Sequence, residues 1–160
     1  IAVQLLLLRL IKREEKEISF PAFSFLIKGV AFASIFVMLF QIVLGTQVRQ
    51  QTDMLFKSGV PRELIADNFD SMFIIHRTFS YLVIASLVFL FANLRKNPRF
   101  KKPLSYLVVF TLLEIIAGIT MYYFEMQAFA QPIHLLFSLL MFAFFIEMFY
   151  RLLPRLSFKK

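Results

Sequence analysis

Ile75-His76-Arg77-Thr78-Phe79-Ser80 and Ile133-His134-Leu135-Leu136-Phe137-Ser138 are two stretches of the sequence with the same pattern, His-x-x-Phe-Ser. Each opens a long apolar run of the kind that crosses a membrane as a helix, which takes about 20 residues. His76 and His134 are the only histidines in the chain. The repeated pattern therefore predicts two similar transmembrane helices, each with a histidine near its start.

The side chains of each stretch fall on one helical face. Positions i, i+3 and i+4 of a helix share a face, so each histidine lies beside the aromatic ring and the serine that follow it. The small serine lets a flat, bulky group or a neighbouring backbone come close. The pattern indicates half of a cofactor site, present twice, and its members are His76, Phe79, Ser80, His134, Phe137 and Ser138.

The composition places the chain among membrane proteins. Of its 160 residues 59% are hydrophobic, and the mean hydropathy is +0.74. Such values are typical of one multi-span bundle and lie outside the usual range of soluble domains. The chain has no cysteine, which excludes disulfides, thiolate-ligated haem and cysteine-held iron–sulfur clusters. The net charge of +8 comes from basic residues in the short connections, a membrane-topology pattern that argues against a nucleic-acid partner.

The apolar runs predict an all-α membrane protein, a four-transmembrane-helix antiparallel bundle. Residues 1–20 are interpreted as the end of a preceding helix plus a cytoplasmic connection, and 21–160 as the four-helix transmembrane domain. A short surface helix is predicted at residues 62–65, inside the longest loop, 49–68. The four spans are expected at about residues 22–48, 69–94, 103–124 and 132–153.

The basic clusters predict the orientation. They fall before the first span, between spans two and three, and after span four, so both ends of the bundle are expected in the cytoplasm. Spans two and four then begin at the outer face. At ~1.5 Å per residue His76 and His134 lie roughly 10 and 6 Å below that face.

A tandem two-helix repeat is the second prediction. Span one contains Gln41-Ile42-Val43-Leu44-Gly45, and span three contains Glu114-Ile115-Ile116-Ala117-Gly118. Each precedes a span with the His-x-x-Phe-Ser pattern. A repeat of parallel orientation has its axis along the membrane normal, which brings the two histidine faces together.

Two facing imidazoles are a natural axial pair for haem iron inside a helical bundle. Filling both axial positions favours electron transfer over oxygen binding. The alternative is that each histidine is an interfacial residue satisfied by water or a backbone carbonyl. Zinc or copper suits the pattern less well, because no third ligand accompanies the pair.

Five other residues have roles that the sequence leaves open. Arg49 and Arg77, at the outer ends of spans one and two, could pair with haem propionates or serve as solvated anchors. Glu114 lies in mid-span, where a carboxyl group usually faces the interior. It could bond to a neighbouring helix or handle protons. Gly45 and Gly118 are expected to let helices approach closely.

Several segments together resemble the C-terminal half of haem A synthase: residues 40–49, His76-Arg77, Gly118-Ile119-Thr120 and residues 130–134. The resemblance implies eight spans in two similar halves. It further implies a haem O substrate in the N-terminal half, with a Glu one turn before its first histidine, and a b-type haem in the C-terminal half. Here Phe73 and Gln131 stand three residues before the histidines.

The chain is therefore identified with the cofactor half, which binds haem b and supports oxidation of haem O to haem A. The N-terminal half, or a second subunit, is the expected partner in a plasma (inner) membrane. Ile1, within an apolar run, is interpreted as the tail of an earlier helix. The alternatives are a half-length synthase acting as a homo-oligomer, a stand-alone membrane cytochrome b, and a haem-free scaffolding bundle.

Overall fold

The computed structural model describes residues 23–125 and 129–153; the predictions for residues 1–22 and 154–160 lie outside these ranges. Within them every regular element is helical, and four helices are long and apolar enough to cross a membrane. The predicted fold class is confirmed. The helices are α1 (Phe25–Lys57), the short α2 (Arg62–Ile65), α3 (Ser71–Leu94), α4 (Pro98–Tyr123) and α5 (Ala130–Leu152).

Helix α1 is longer than its predicted span. The Ser24 hydroxyl accepts the Ile27 N–H at its start, and the helix continues nine residues past the predicted end at Val48. No Pro or Gly interrupts residues 49–57, so the helix persists after the apolar run ends. It is about 50 Å long against a hydrocarbon core of about 30 Å. It ends before Gly59, whose φ of 88° suits glycine.

The connection from α1 to α3 is ordered. The predicted short helix is confirmed as α2, followed by a 3₁₀ turn at Ala66–Asn68. Asp70 caps α3 by accepting the Met72 N–H at 2.8 Å. In the amide orientation that satisfies both groups, Gln51 Nε2 donates to Asp70 Oδ1 (3.1 Å), and Gln51 Oε1 accepts from the Asp70 backbone N–H (3.0 Å). The far end of α1 therefore holds the start of α3.

Helix α4 begins five residues before the predicted start at Pro103. Asn97 caps it by accepting the Arg99 N–H, and Pro98 takes the first-turn position that suits proline. Pro103 lies inside the helix and has no N–H for the Arg99 carbonyl. That carbonyl instead accepts from Arg151 Nη1 of α5 at 2.9 Å. A link between helices thus replaces the bond that proline removes.

The helices form an antiparallel bundle from the tandem repeat α1–α3 and α4–α5. Each of these pairs is closely packed, α1 also packs against α5, and the seam between α3 and α4 is the sparsest. Stacked rings of Phe73 and Tyr122 bridge that seam, with centroids 5.5 Å apart. We call the end where α3 finishes and α4 begins the basic end, after Arg95, Lys96, Arg99, Lys101 and Lys102. The opposite end is the histidine end.

The apolar core fills only the part of the bundle towards the basic end. Its buried cluster includes Leu94, Phe100, Phe145 and Met148 near that end. Towards the histidine end the cluster stops at one level, formed by Met38, Val83, Leu107 and Met141. Most of the outward surface of the four helices is also apolar, as expected of surfaces that contact lipid. The bundle interior between this core and the histidine end therefore lies outside the buried apolar cluster.

Candidate cofactor site

The two histidines face each other beyond the end of the core. His76 comes from the second turn of α3 and His134 from the second turn of α5. His76 lies seven residues before Val83, and His134 lies seven residues before Met141, the core residue of each helix nearest the histidine end. Each spacing is about 10 Å along the helix. Their ring centroids are 6.4 Å apart and the ring planes cross at 69°. The matched depths predicted by the repeat are present in the structure.

A glycine of the paired helix lies against each ring. A Cβ atom added to Gly45 would lie 3.2 Å from His76 Cε1, and one added to Gly118 would lie 3.5 Å from His134 Cε1. The first distance is tighter than ordinary contact, and the second is ordinary. The glycines were expected to serve helix packing. In the structure the absence of a side chain at each glycine leaves room for an imidazole ring.

Gln41 and Glu114, each four residues before its glycine, occupy equivalent positions of the repeat. The Gln41 Nε2 atom donates to the His76 backbone carbonyl at 3.0 Å, and this side chain is 8% exposed. It supports the backbone of α3 at the turn that carries the histidine. This bond was not predicted, although the aligned positions of Gln41 and Glu114 in the repeat were a signal that both face the site.

Glu114 makes a different set of contacts. Its Oε1 accepts a hydrogen bond from the Ser138 hydroxyl of α5, and its Oε2 lies 3.3 Å from His134 Nδ1. The alternative in which Glu114 bonds to a neighbouring helix is thus confirmed. The side chains of His134 and Glu114 are 21% and 15% exposed. This carboxyl group therefore contacts a candidate ligand inside the bundle.

The other predicted site residues make different contacts in the two halves of the repeat. Phe79 packs on Phe40 of α1, with centroids 5.0 Å apart, whereas Phe137 lies 6.0 Å from Phe110 of α4. The Ser80 hydroxyl donates to the Arg77 carbonyl of its own helix at 2.6 Å, whereas the Ser138 hydroxyl donates to Glu114 of another helix. The side chains of Arg49 and Arg77 are exposed on α1 and α3, near the histidine end.

An aromatic group at the histidine end was not predicted. Phe69 and Phe73 are stacked with centroids 4.9 Å apart, Phe73 stacks on Tyr122, and Tyr122 meets Tyr123 edge-on at 5.0 Å. The rings lie over the α3–α4 seam, one turn beyond the histidine of α3 and the glycine of α4. From the sequence, Phe73 stands out only because it occupies the position at which the resemblance implies an acidic residue. Its spacing from His76 on one helical face was the available signal.

A comparison with protein families identifies the chain. A family model described as COX15-CtaA, cytochrome oxidase assembly protein, matches residues 1–146. The chain belongs to the COX15-CtaA family. This is the haem A synthase family, so the resemblance found in the sequence is confirmed. Comparison with the curated proteins and with the solved structures gives no match. Membership of the COX15-CtaA family supports a role in haem A biosynthesis and oxidase assembly.

The separation of the two imidazole rings is compatible with a haem bound between them. Two metal–imidazole bonds of about 2 Å each, plus about 1.1 Å from each nitrogen to its ring centre, give a centroid separation of roughly 6.2 Å. The observed separation is 6.4 Å. The Nδ1 atoms of both rings are buried and find no hydrogen-bond partner among the described residues. Two facing imidazoles at this separation could therefore hold a haem iron in this COX15-CtaA chain.

The donor set suits a porphyrin better than a bare ion. Among the residues that the structure describes, no group of three or more His, Cys, Asp and Glu side chains is arranged to hold a metal ion. Two imidazoles leave a bare ion without a complete ligand set, whereas a porphyrin brings four nitrogens of its own. The residues of this COX15-CtaA site are thus compatible with an axial pair.

Proposed function

We propose that the chain binds a b-type haem between His76 and His134 and, as the cofactor half of a haem A synthase, supports oxidation of haem O to haem A. The observation that carries the proposal is the facing pair of imidazoles, whose centroids are 6.4 Å apart. The chain's membership of the haem A synthase family supplies the reaction. The partner is the N-terminal half of the same protein or a second subunit, where haem O would bind.

The side chains of this chain hold and insulate the cofactor. His76 and His134 would supply the two protein ligands of the haem iron and would thereby exclude oxygen and water from it. Phe79 and Phe137 supply apolar walls that lower the local dielectric. A bound haem supplies one-electron chemistry at its iron, which suits relay of electrons during the oxidation.

Arg49 and Arg77 are proposed to pair with the haem propionates. Both are exposed near the histidine end, and a guanidinium group binds carboxylates through two parallel hydrogen bonds. Arg77→Ala is expected to weaken haem retention modestly. Unchanged haem occupancy would assign Arg77 to the membrane interface.

The decisive experiment is to purify the protein in detergent after haem-replete expression. Oxidised and reduced absorption spectra are recorded, and the porphyrin is then extracted and identified. A sharp reduced α-band of low-spin type, with haem B extracted, is the expected result. Haem O or haem A in the extract would instead indicate a catalytic pocket. A protein without haem would contradict the proposal and favour the scaffolding alternative.

The glycine contacts give a graded prediction. Gly45→Ala is expected to displace the His76 ring by a few tenths of an ångström, because the new Cβ would lie 3.2 Å from Cε1. Gly118→Ala is the matched control, since its Cβ would make an ordinary contact at 3.5 Å. Low-spin electron paramagnetic resonance spectra should change in Gly45→Ala and stay close to wild type in Gly118→Ala. Equal spectra in both would contradict this account of Gly45.

The proposed orientation puts the basic end in the cytoplasm and the haem near the outer face of a plasma (inner) membrane. Its support is the concentration of basic side chains at that end. The chain has no cysteine, so single cysteines report their side unambiguously. In cells, a membrane-impermeant maleimide should label Lys57→Cys directly and Lys96→Cys only after permeabilisation. The reverse labelling would invert the topology.

A further inference from the structure

We propose that Glu114 is a positioning residue for one haem ligand. Its carboxyl group accepts the Nδ1–H of His134, fixes the plane of that ring and strengthens its bond to iron. The inference rests on the proposed function, because it requires that His134 bind haem. It makes the two axial ligands chemically different, although the repeat places them symmetrically.

The contacts of Glu114 suit this role. Its Oε2 lies 3.3 Å from His134 Nδ1, close enough for the ring N–H to donate when it points at that oxygen. Both atoms are buried and make no well-aligned hydrogen bond within the described part of the chain, and the backbone carbonyl of Glu114 also lies near the ring. The other oxygen is held by the Ser138 hydroxyl, one turn beyond His134 on α5. Ser138 thus orients the carboxyl group towards the ring.

The second repeat unit offers a comparison within the same molecule. Gln41 occupies the position equivalent to Glu114, but its amide donates to the His76 backbone carbonyl. The Nδ1 atom of His76 makes no well-aligned hydrogen bond among residues 23–125 and 129–153, and the acceptor near its ring is the backbone carbonyl of Gln41, not a carboxyl group. One histidine therefore has a carboxyl group at its second nitrogen, and the other has none.

That difference has a chemical consequence. A hydrogen bond from a ligating imidazole to a carboxyl group increases the basicity of the ligating nitrogen and fixes the ring orientation. A stronger donor stabilises the oxidised iron relative to the reduced iron. Glu114 should therefore lower the reduction potential of the haem. A Glu114 that only links α4 to α5 through Ser138 would affect stability and leave the potential unchanged.

The test is a redox titration of the haem-loaded full chain in detergent, comparing wild type with Glu114→Gln and Glu114→Leu. Both variants should have a higher midpoint potential, and Glu114→Leu, which removes the acceptor, should shift it more. We expect a change of about tenfold in the reduced-to-oxidised ratio at a fixed potential, which is about 59 mV for one electron. The Gln variant keeps a weaker acceptor and should lie between the other two.

Thr111→Val is the matched control. Thr111 is a buried polar residue of α4, one turn before Glu114, whose hydroxyl donates to the Leu107 carbonyl of its own helix at 2.7 Å. This variant should keep the wild-type potential. A shift as large as that of Glu114→Gln would show that the potential responds to any buried polar change on α4, and would overturn the proposal.

The outcomes separate this inference from the proposed function. Haem-loaded Glu114→Gln and Glu114→Leu that both keep the wild-type potential would overturn the positioning role and leave haem binding intact. If Glu114→Leu loses its haem, the titration of Glu114→Gln decides. Absence of haem from the wild-type protein would overturn both proposals.

Discussion

His76→Ala and His134→Ala should each abolish the sharp reduced α-band of low-spin haem. In the proposed site each substitution would remove one of the two protein ligands of the iron, so the two losses should be of similar severity. Loss of residues that only support a metal ligand costs about 10- to 100-fold in affinity, so loss of a ligand itself should cost at least on the order of 100-fold. Absorption spectra and haem occupancy after purification measure the effect.

Two controls make this result specific to ligation. Thr78→Ala changes an exposed residue on the same turn of α3 and should leave the spectrum as in wild type. Added imidazole should restore low-spin character to the alanine variants if the pocket remains folded. A wild-type spectrum in either alanine variant would remove that histidine as a ligand.

Arg151→Ala should cause the largest loss of stability. The guanidinium Nε donates to Glu147 Oε1 at 2.8 Å, and its Nη1 satisfies the Arg99 carbonyl that Pro103 leaves open. Glu147 is 6% exposed, so removing Arg151 leaves a buried carboxyl group without its charge partner. Breaking a buried pair in this way typically costs about 3–5 kcal/mol. Thermal unfolding in detergent should show a clearly lower midpoint.

A double variant tests the cause of that loss. Glu147→Gln combined with Arg151→Ala removes the stranded charge and should recover much of the stability. Arg95→Ala changes an exposed arginine at the same end of the bundle and should have little effect. If the double variant were no more stable than Arg151→Ala, the loss would be due to the Arg99 carbonyl instead of the charge.

The four helices, their order and the facing histidines could be predicted from the sequence, because apolar length and repeated spacing determine them. The ends of the helices could not. The prediction ended α1 at Val48, where the apolar run stops, although a helix needs no apolar side chains once outside the membrane. The prediction began α4 at Pro103, where the basic cluster gives way to an apolar run, but Asn97 and Pro98 give an earlier start.

The contacts within the site were predictable only in part. The aligned positions of Gln41 and Glu114 indicated that both face the bundle interior. Whether a side chain then reaches a ring nitrogen or a backbone carbonyl depends on differences of an ångström between helix positions. Those differences arise from packing of the whole bundle. Sequence spacing therefore located the two residues but not the atoms that they contact.

The polar contacts of α1 have a consequence for how the bundle keeps its register. Apolar side chains slide past one another at little cost in a membrane, because lipid tails offer similar contacts. Gln41 and Gln51 instead bond to α3 at two points along α1, and Gly45 lies against the His76 ring between them. A slip of one residue would move His76 by ~1.5 Å along the axis and turn it by ~100° about it. These three residues of α1 therefore determine the position of His76 along the bundle axis.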